Sequence, residues 1–319
     1  MGWYYSQLFI RPPYPAQSFA GQTIIVTGSN VGLGYEAARH FVRLKASKVI
    51  LAVRNIQAGN AAKRSIEASE GRPNVCEVWA LDLASYASVK SFGAQASKLD
   101  RLDVVVENAA IATPSFRLVE NHESHITVNV ISTVLLALLL IPKLLQTGKA
   151  FPTAKPHLSI VTSEVHGWTS FAESRTKNIF AALDDPAQTN MAERYGTSKL
   201  LEVLVVRELA PRLAQSGLIL NMLNPGLCHS ALARDSGWDL WFLKLVFARS
   251  TEVGSRSLVA AAADGPESHG GYLSDGKLAN EALSPFVISA EGFQVQKRVW
   301  EELGAILEEI HPGVLRVVE

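Results

Sequence analysis

The stretch Thr27-Gly28-Ser29-Asn30-Val31-Gly32-Leu33-Gly34 decides how the rest of this chain is read. It follows the apolar run Thr23–Val26 and opens an amphipathic stretch over Gly34–Leu44, so its glycines fall where a strand turns into a helix. Glycine tolerates the backbone such a turn needs, and the missing side chains let an anion approach the unpaired amides at the helix N-terminus. This context predicts a dinucleotide pyrophosphate held by Gly28, Asn30, Gly32, Leu33 and Gly34.

Outward from the turn, short apolar runs alternate with longer amphipathic ones. Strands are predicted at Thr23–Val26, Val49–Val53, Val75–Leu81, Val104–Val106, Leu158–Val161, Ile219–Leu223 and Gly271–Ser274. Helices are predicted over Gly34–Leu44, Ile56–Ser69, Ser85–Leu99, Glu123–Leu145, Arg194–Gln215, Thr251–Ala263 and Glu291–Ile310. Strands joined through helices imply a parallel sheet covered on both faces, hence an α/β, doubly wound Rossmann-type domain. No repeat or linker divides it. We expect an N-terminal arm over 1–20, one domain over 21–319 and a C-terminal substrate lid over about 227–250. Lys149–Pro156 reads as a surface connection, and Gly167–Met191 as a long insertion that is either functional or padding.

Composition narrows the function classes. With 48% apolar residues, the 319-residue chain can bury a large core, and its 30 basic and 30 acidic residues offer no net field for nucleic acid. Cys76 and Cys228 lack metal-ligand spacing and suit a reducing compartment, so neither structural zinc nor any other metal is expected. Met1–Ile10 has no basic start of a secretory signal, and Val134–Ile141 is too short to span a bilayer, so a cytoplasmic location is expected, with peripheral membrane contact as the variant. Met1-Gly2-Trp3-Tyr4-Tyr5-Ser6 fits a loose acylation pattern; the alternative is an arm that packs its aromatics on the domain.

Tyr195 and Lys199 stand four residues apart in a predicted helix, which puts phenol and ammonium on one face. A neighbouring cation favours a phenolate that otherwise forms near pH ~10, which makes the phenol a usable acid/base. Ser163 follows the Leu158–Val161 strand, where its hydroxyl can project at the carboxyl edge of the sheet. Alone, such a serine is an ordinary turn residue. At the end of the second strand, Leu51-Ala52-Val53-Arg54-Asn55 holds no carboxylate to bind a ribose 2′-hydroxyl. Arg54 can instead bind a 2′-phosphate, so NADP(H) is the expected cofactor; the plain alternative is a solvated arginine opening the next helix.

The spacing Thr-Gly-x-x-x-Gly-x-Gly, followed in order by Asn108, Asn129, Ser163, Tyr195-x-x-x-Lys199 and Pro225-Gly226, resembles the short-chain dehydrogenase/reductase family in its conventional short subclass. The resemblance runs from about Gly21 to the end. It implies a catalytic set of Asn129, Ser163, Tyr195 and Lys199, with Lys199 also on the nicotinamide ribose and Asn129 holding a water that links Lys199 to solvent. It places Asp82 and Leu83 at the adenine and Asn108 in a sheet-stabilising motif, with Ala110 where the family usually has glycine. Pro225, Gly226 and Ser230 resemble the segment that orients the carboxamide, with serine in place of the usual threonine. Among members, the chain is similar to retinol-dehydrogenase-like and WW-domain-oxidoreductase-like enzymes, including those of fungal secondary-metabolite pathways.

The expected activity is therefore interconversion of carbonyl and alcohol on a small molecule, with an idle NADP-binding regulator as the rival and a nucleotide-sugar epimerase as a further one. His166 and Trp168 either line the substrate pocket or are a surface histidine and a packing tryptophan. Trp238 and Trp241 lie in an aromatic-rich segment that predicts a bulky apolar substrate, or else completes the core or meets a membrane or second subunit. Glu107 and Glu164 sit near the site without an assigned role. A homodimer is expected through Val134–Ile141 and Leu200–Val206, unless the first run is buried against its own sheet.

Overall fold

β1 (Thr23–Thr27) is buried at every position and is flanked on both sides by parallel partners, as a near-continuous apolar strand requires. The computed structural model describes residues 3–229 and 248–319. The central part of the lid segment, with Ser230, Trp238 and Trp241, lies outside the described residues, as do Met1 and Gly2.

A short helix α1 (Trp3–Phe9) precedes β1, and α2 (Gly32–Arg43), β2 (Lys48–Val53), α3 (Ile56–Glu70), β3 (Cys76–Ala80), α4 (Tyr86–Ala96) and β4 (Val104–Glu107) follow it. A two-stranded hairpin, β5 (Leu118–Val119) and β6 (His122–Glu123), leads into a π-helical stretch Ile126–Ser132 and then α5 (Thr133–Ala150). After β7 (His157–Val161) come α6 (Ile179–Leu183), α7 (Met191–Leu213) and β8 (Ile219–Asn224). The chain ends with α8 (Thr251–Ala261), β9 (Tyr272–Ser274), β10 (Lys277–Leu278), α9 (Pro285–Ile288) and α10 (Ala290–Ile310). The sheet order is β10-β9-β8-β7-β4-β1-β2-β3, parallel throughout except for the β9–β10 edge pair.

The order reverses at β1, so the carboxyl ends of β1 and β4 open a crevice of the kind that holds ligands in doubly wound sheets. Two cores cover the sheet. On one face Val105, Leu158 and Ile160 pack with α4, α5, α7 and α10; on the other Val104, Val106 and Val161 pack with α2, α3 and α8.

One feature differs from the sequence reading, and two others go beyond it. The predicted helix Glu123–Leu145 begins as a strand and a π-helical stretch, because Thr127 Oγ1 donates to the carbonyls of Val119 and His122 and draws the hairpin onto the helix start. Gly167–Met191 is neither loose nor open: Glu302 of α10 accepts from the first amides of α6, and Arg298 donates to the carbonyls of Ser174 and Thr176. Val134–Ile141 and Leu200–Val206 are almost wholly buried within the chain, covered by the sheet, α10 and the C-terminal turn Val314–Val317, so neither presents an open apolar face to a second copy. The whole stretch Ile126–Ala150 is long and apolar enough to cross a membrane by length and composition, yet 83% of its most apolar window is buried in the protein.

In the arm, the Tyr14 ring packs on the domain against Arg43, His40 and Arg256, while Tyr5 and Phe9 pair with each other and stay about half exposed or more. Polar atoms fasten the same segment. Gln7 Oε1 accepts from Leu227 N, and Arg249 donates to the carbonyls of Ser6 and Ile10 while pairing with Asp275 at 2.6 Å.

Candidate active site

The glycine turn is built by the backbone. Gly28 and Gly32 have φ of +65° and +68°, conformations that side chains rarely adopt. A Cβ at Gly34 would stand 2.6 Å from the Gly28 carbonyl oxygen, so the helix can close on the strand only without one. Nothing lies within 4 Å of where a Gly32 side chain would stand, and Val31 leaves the first turn of α2 without a side-chain cap. Open space before uncapped amides fits a pyrophosphate. Asn30 is partly buried in the turn, and Leu33 packs against the core on the α8 side.

Asn108 ties this turn to β4. Its Nδ2 donates to Thr27 O at 2.9 Å, and the amides of Asn108 and Ala109 both donate to Thr27 Oγ1 at 2.9 Å. The carboxylate of Asp82 accepts from Ala84 N, while Leu83 is buried and its carbonyl accepts from Ser132 Oγ. Arg54 is exposed at the end of β2 and forms no ion pair among the described residues. Pro225 is buried and Gly226 turns with φ of +76°, held by Asn224 Oδ1 on the Gly226 amide.

The candidate acid/base residues stand just beyond β7 and on α7. Ser163 is extended beyond β7 and caps a short 3-10 turn, Glu164–Gly167. A Cβ on Gly196 would stand 2.9 Å from Val165 O, so this glycine lets the turn lie directly on the helix that carries Tyr195. Lys199 is buried one turn further on, its Nζ 5.8 Å from the centre of the Tyr195 ring. Asn129, fully buried, lies in the π-helical stretch. Its Oδ1 accepts from Ile111 N at 2.9 Å, and its Nδ2 donates to Ile111 O and, at 2.9 Å, to Ser198 Oγ. It thus joins the loop after β4 to the helix of Tyr195 directly. A π-helical insertion is a common way of turning one side chain into a site.

The electrostatics depart from the sequence reading. Lys199 was expected to depress the Tyr195 phenol, but its Nζ donates to Glu202 Oε1 at 2.7 Å and to Val161 O at 2.9 Å. Burial, and after it the charge of Glu202, push the phenol up instead. Glu202 was not foreseen, although its place three residues after Lys199 marks an ion pair on one helix face.

His166 is buried, with Nδ1 on Ser163 O at 2.7 Å and Nε2 accepting from Ser284 N; its ring packs on Tyr272. It braces the turn after β7 from within and is not a surface histidine. Trp168 is 61% exposed and does not pack in the core. No cluster of three or more His, Cys, Asp or Glu side chains suited to a metal occurs among the described residues.

Comparison with known proteins agrees with this geometry. A short chain dehydrogenase family model matches residues 22–150. The chain is 49% identical to the short chain dehydrogenase/reductase dmxR8 of Cryptosporiopsis sp. (strain 8999), covering 98% of this chain and 99% of that protein. It is 45% identical to the short-chain dehydrogenase anuD of Penicillium roqueforti (strain FM164), covering 97% and 84%. Among solved structures, the NADPH-bound carbonyl reductase from chicken fatty liver is similar in fold with a TM-score of 0.62 at 17% identity, over 82% of this chain and 99% of that one. The 3-ketoacyl-(acyl-carrier-protein) reductase of Brucella melitensis complexed with NADH gives 0.61 at 20% identity, over 81% and 97%. The glycine turn, the crevice at the sheet reversal and the Tyr195 helix thus occur in a chain whose likeness to such enzymes extends end to end, and the chain belongs to the short-chain dehydrogenase/reductase family.

Proposed function

We propose that the protein is an NADP(H)-dependent oxidoreductase that interconverts a carbonyl and an alcohol on a bulky apolar small molecule, working as a ketone reductase in secondary or lipid-like metabolism. Membership of the family supports a nicotinamide-dependent oxidoreductase. The observation that carries the choice of NADP(H) is Arg54, exposed at the end of β2 where a carboxylate would repel a 2′-phosphate.

Bound in the crevice, the nicotinamide would supply or accept hydride. Tyr195 donates a proton to the carbonyl oxygen in reduction and takes one from the alcohol in oxidation. Ser163 donates a second hydrogen bond to the same oxygen, which steadies the charge that develops there. Lys199 retains one N–H beyond those on Glu202 and Val161 for a ribose hydroxyl, since an ammonium has three donors. Asn129 holds the loop after β4 at a fixed distance from this helix.

The apolar substrate class rests on the aromatic-rich sequence that contains Trp238 and Trp241 and on the exposed ring of Trp168. We further propose a cytoplasmic protein that forms a homodimer. Oxidation of NADPH against a panel of apolar ketones, with NADH in parallel, tests the reading. Faster turnover with NADPH on larger apolar ketones is expected; a preference for NADH or for small polar carbonyls would overturn the cofactor or the substrate part respectively. A monomer mass in light scattering would overturn the dimer.

A further inference from the structure

Glu107, at the end of β4, is buried, and neither of its carboxyl oxygens has a hydrogen-bond partner. Its strand neighbour in β7 is Ile160, and the next residue of that strand, Val161, offers the carbonyl that holds the Lys199 amine. Alternation along β4 turns Glu107 with Val105 towards the α5 and α7 face, where Glu202 is also buried. One oxygen of Glu202 grips Lys199 at 2.7 Å; the other has no partner. Two buried carboxyls and one buried ammonium thus lie together between the ends of β4 and β7 and the helix that carries Tyr195.

Two carboxylates cannot both be ionised cheaply beside a single cation in such a place. Glu202 holds the ion pair. Glu107 has no cation, and burial, reinforced by the charge of Glu202, raises its carboxyl well above the usual range. For Glu202 burial outweighs the pull of Lys199 and gives a value of about 7, so it is ionised through the alkaline range in which a phenol titrates.

Other ionisable groups around Tyr195 are engaged elsewhere. On α7, Glu193 accepts from Ser170, and Arg194 pairs with Glu173 and Glu123. From the π-helical side, His125 is bound to Glu123; from the turn after β7, His166 is bound to Ser163 and Ser284, and the charge of Glu164 bears on Tyr272 and Cys228.

We propose that Glu202 is a positioning residue that takes up the charge of Lys199 and so keeps the Tyr195 phenol in its protonated, donating form, with Glu107 as the uncharged acid beside it. The pair thus limits how strongly Lys199 can stabilise a Tyr195 phenolate, the charge relation on which the acid/base role depends. This deepens the assignment of Tyr195 as acid/base and rests on it. The charge relation itself can be read without turnover.

The test is an NMR titration of ring-labelled tyrosine in the folded protein, with the Tyr195 signal identified by its loss in Tyr195→Phe. In the wild type this signal should keep its phenol position up to the alkaline limit of the fold. In Glu202→Gln, Lys199 is left without its counter-charge, and the midpoint should fall by about one pH unit or more. Glu202→Leu, which removes the charge by another route, should do the same if the glutamine variant does not fold. Glu107→Gln should leave the midpoint at its wild-type position.

An unchanged midpoint in both Glu202 variants, or an equal fall in Glu107→Gln, would overturn the proposal. In turnover, the rise of alcohol oxidation with pH should move to lower pH in Glu202→Gln. A shifted NMR midpoint without turnover of any carbonyl would leave this inference standing and remove the proposed activity; turnover with an unmoved midpoint would do the reverse.

Discussion

Gly34 and Asn108 meet across the nucleotide turn so closely that a Cβ on Gly34 would stand 2.6 Å from Asn108 Nδ2. The same carbon would stand 2.6 Å from the Gly28 carbonyl oxygen, which is backbone and cannot swing aside. Gly34→Ala should therefore push the first turn of α2 off β1, with an overpacking cost of about 1–3 kcal/mol. NADPH affinity, followed by fluorescence titration, should fall about tenfold or more. Wild-type affinity in a folded Gly34→Ala protein would contradict the geometry of the turn.

Arg54→Asp replaces a charge-assisted bond to the 2′-phosphate by repulsion. A loss of about 1.5–3 kcal/mol corresponds to a roughly 10- to 100-fold weaker Kd for NADPH, while NADH should change far less. Equal losses for both cofactors would show that Arg54 does not read the phosphate.

His40 joins α2 to α8 through Glu252 at 3.1 Å, and burial, opposed by Glu252, holds its imidazole down to about 4. The unfolded chain, with an ordinary value near ~6.5, takes up the proton more readily. The stability that His40 contributes is thus complete above the unfolded value and is lost as pH falls towards 4. Urea unfolding across this window should show a decline on the order of a few kcal/mol that His40→Gln reduces.

Glu107 has the opposite sign. Its folded-state carboxyl lies above the ordinary range, so the stability linked to it is present below the unfolded value near ~4.3 and is lost as pH rises through the folded one. Glu107→Gln, which has nothing to ionise, should be more stable than wild type by about 1–3 kcal/mol at mildly alkaline pH and should lose that advantage in acid. Equal stability of the two proteins at every pH would mean that Glu107 does not titrate with folding.

The sheet was legible because strands buried on both faces must be apolar almost without interruption, as Ile24–Val26 and Val104–Val106 are. Their helices were legible through their amphipathic periods. The start of the Asn129 helix was not, because a π-helical step is set by contacts with a hairpin 5 to 8 residues upstream that carries no period of its own. The candidate site residues could be listed in order from the glycine turn to Lys199, but their charges could not be assigned. That depended on which partner Lys199 finds, and Val161 and Glu202 approach it from a strand and a helix turn that only the fold brings together. The docking of Gln7 and Arg249 across more than 200 residues of sequence left no local pattern at all.

The central claim is that Tyr195 moves the proton in a carbonyl–alcohol interconversion. Its most direct test is single-turnover NADPH oxidation by wild-type protein and Tyr195→Phe on an apolar ketone that the wild type reduces. The account predicts unchanged folding, near-normal NADPH binding and a rate about 10² to 10⁴ lower in the variant. A Tyr195→Phe protein that keeps the wild-type rate would contradict it.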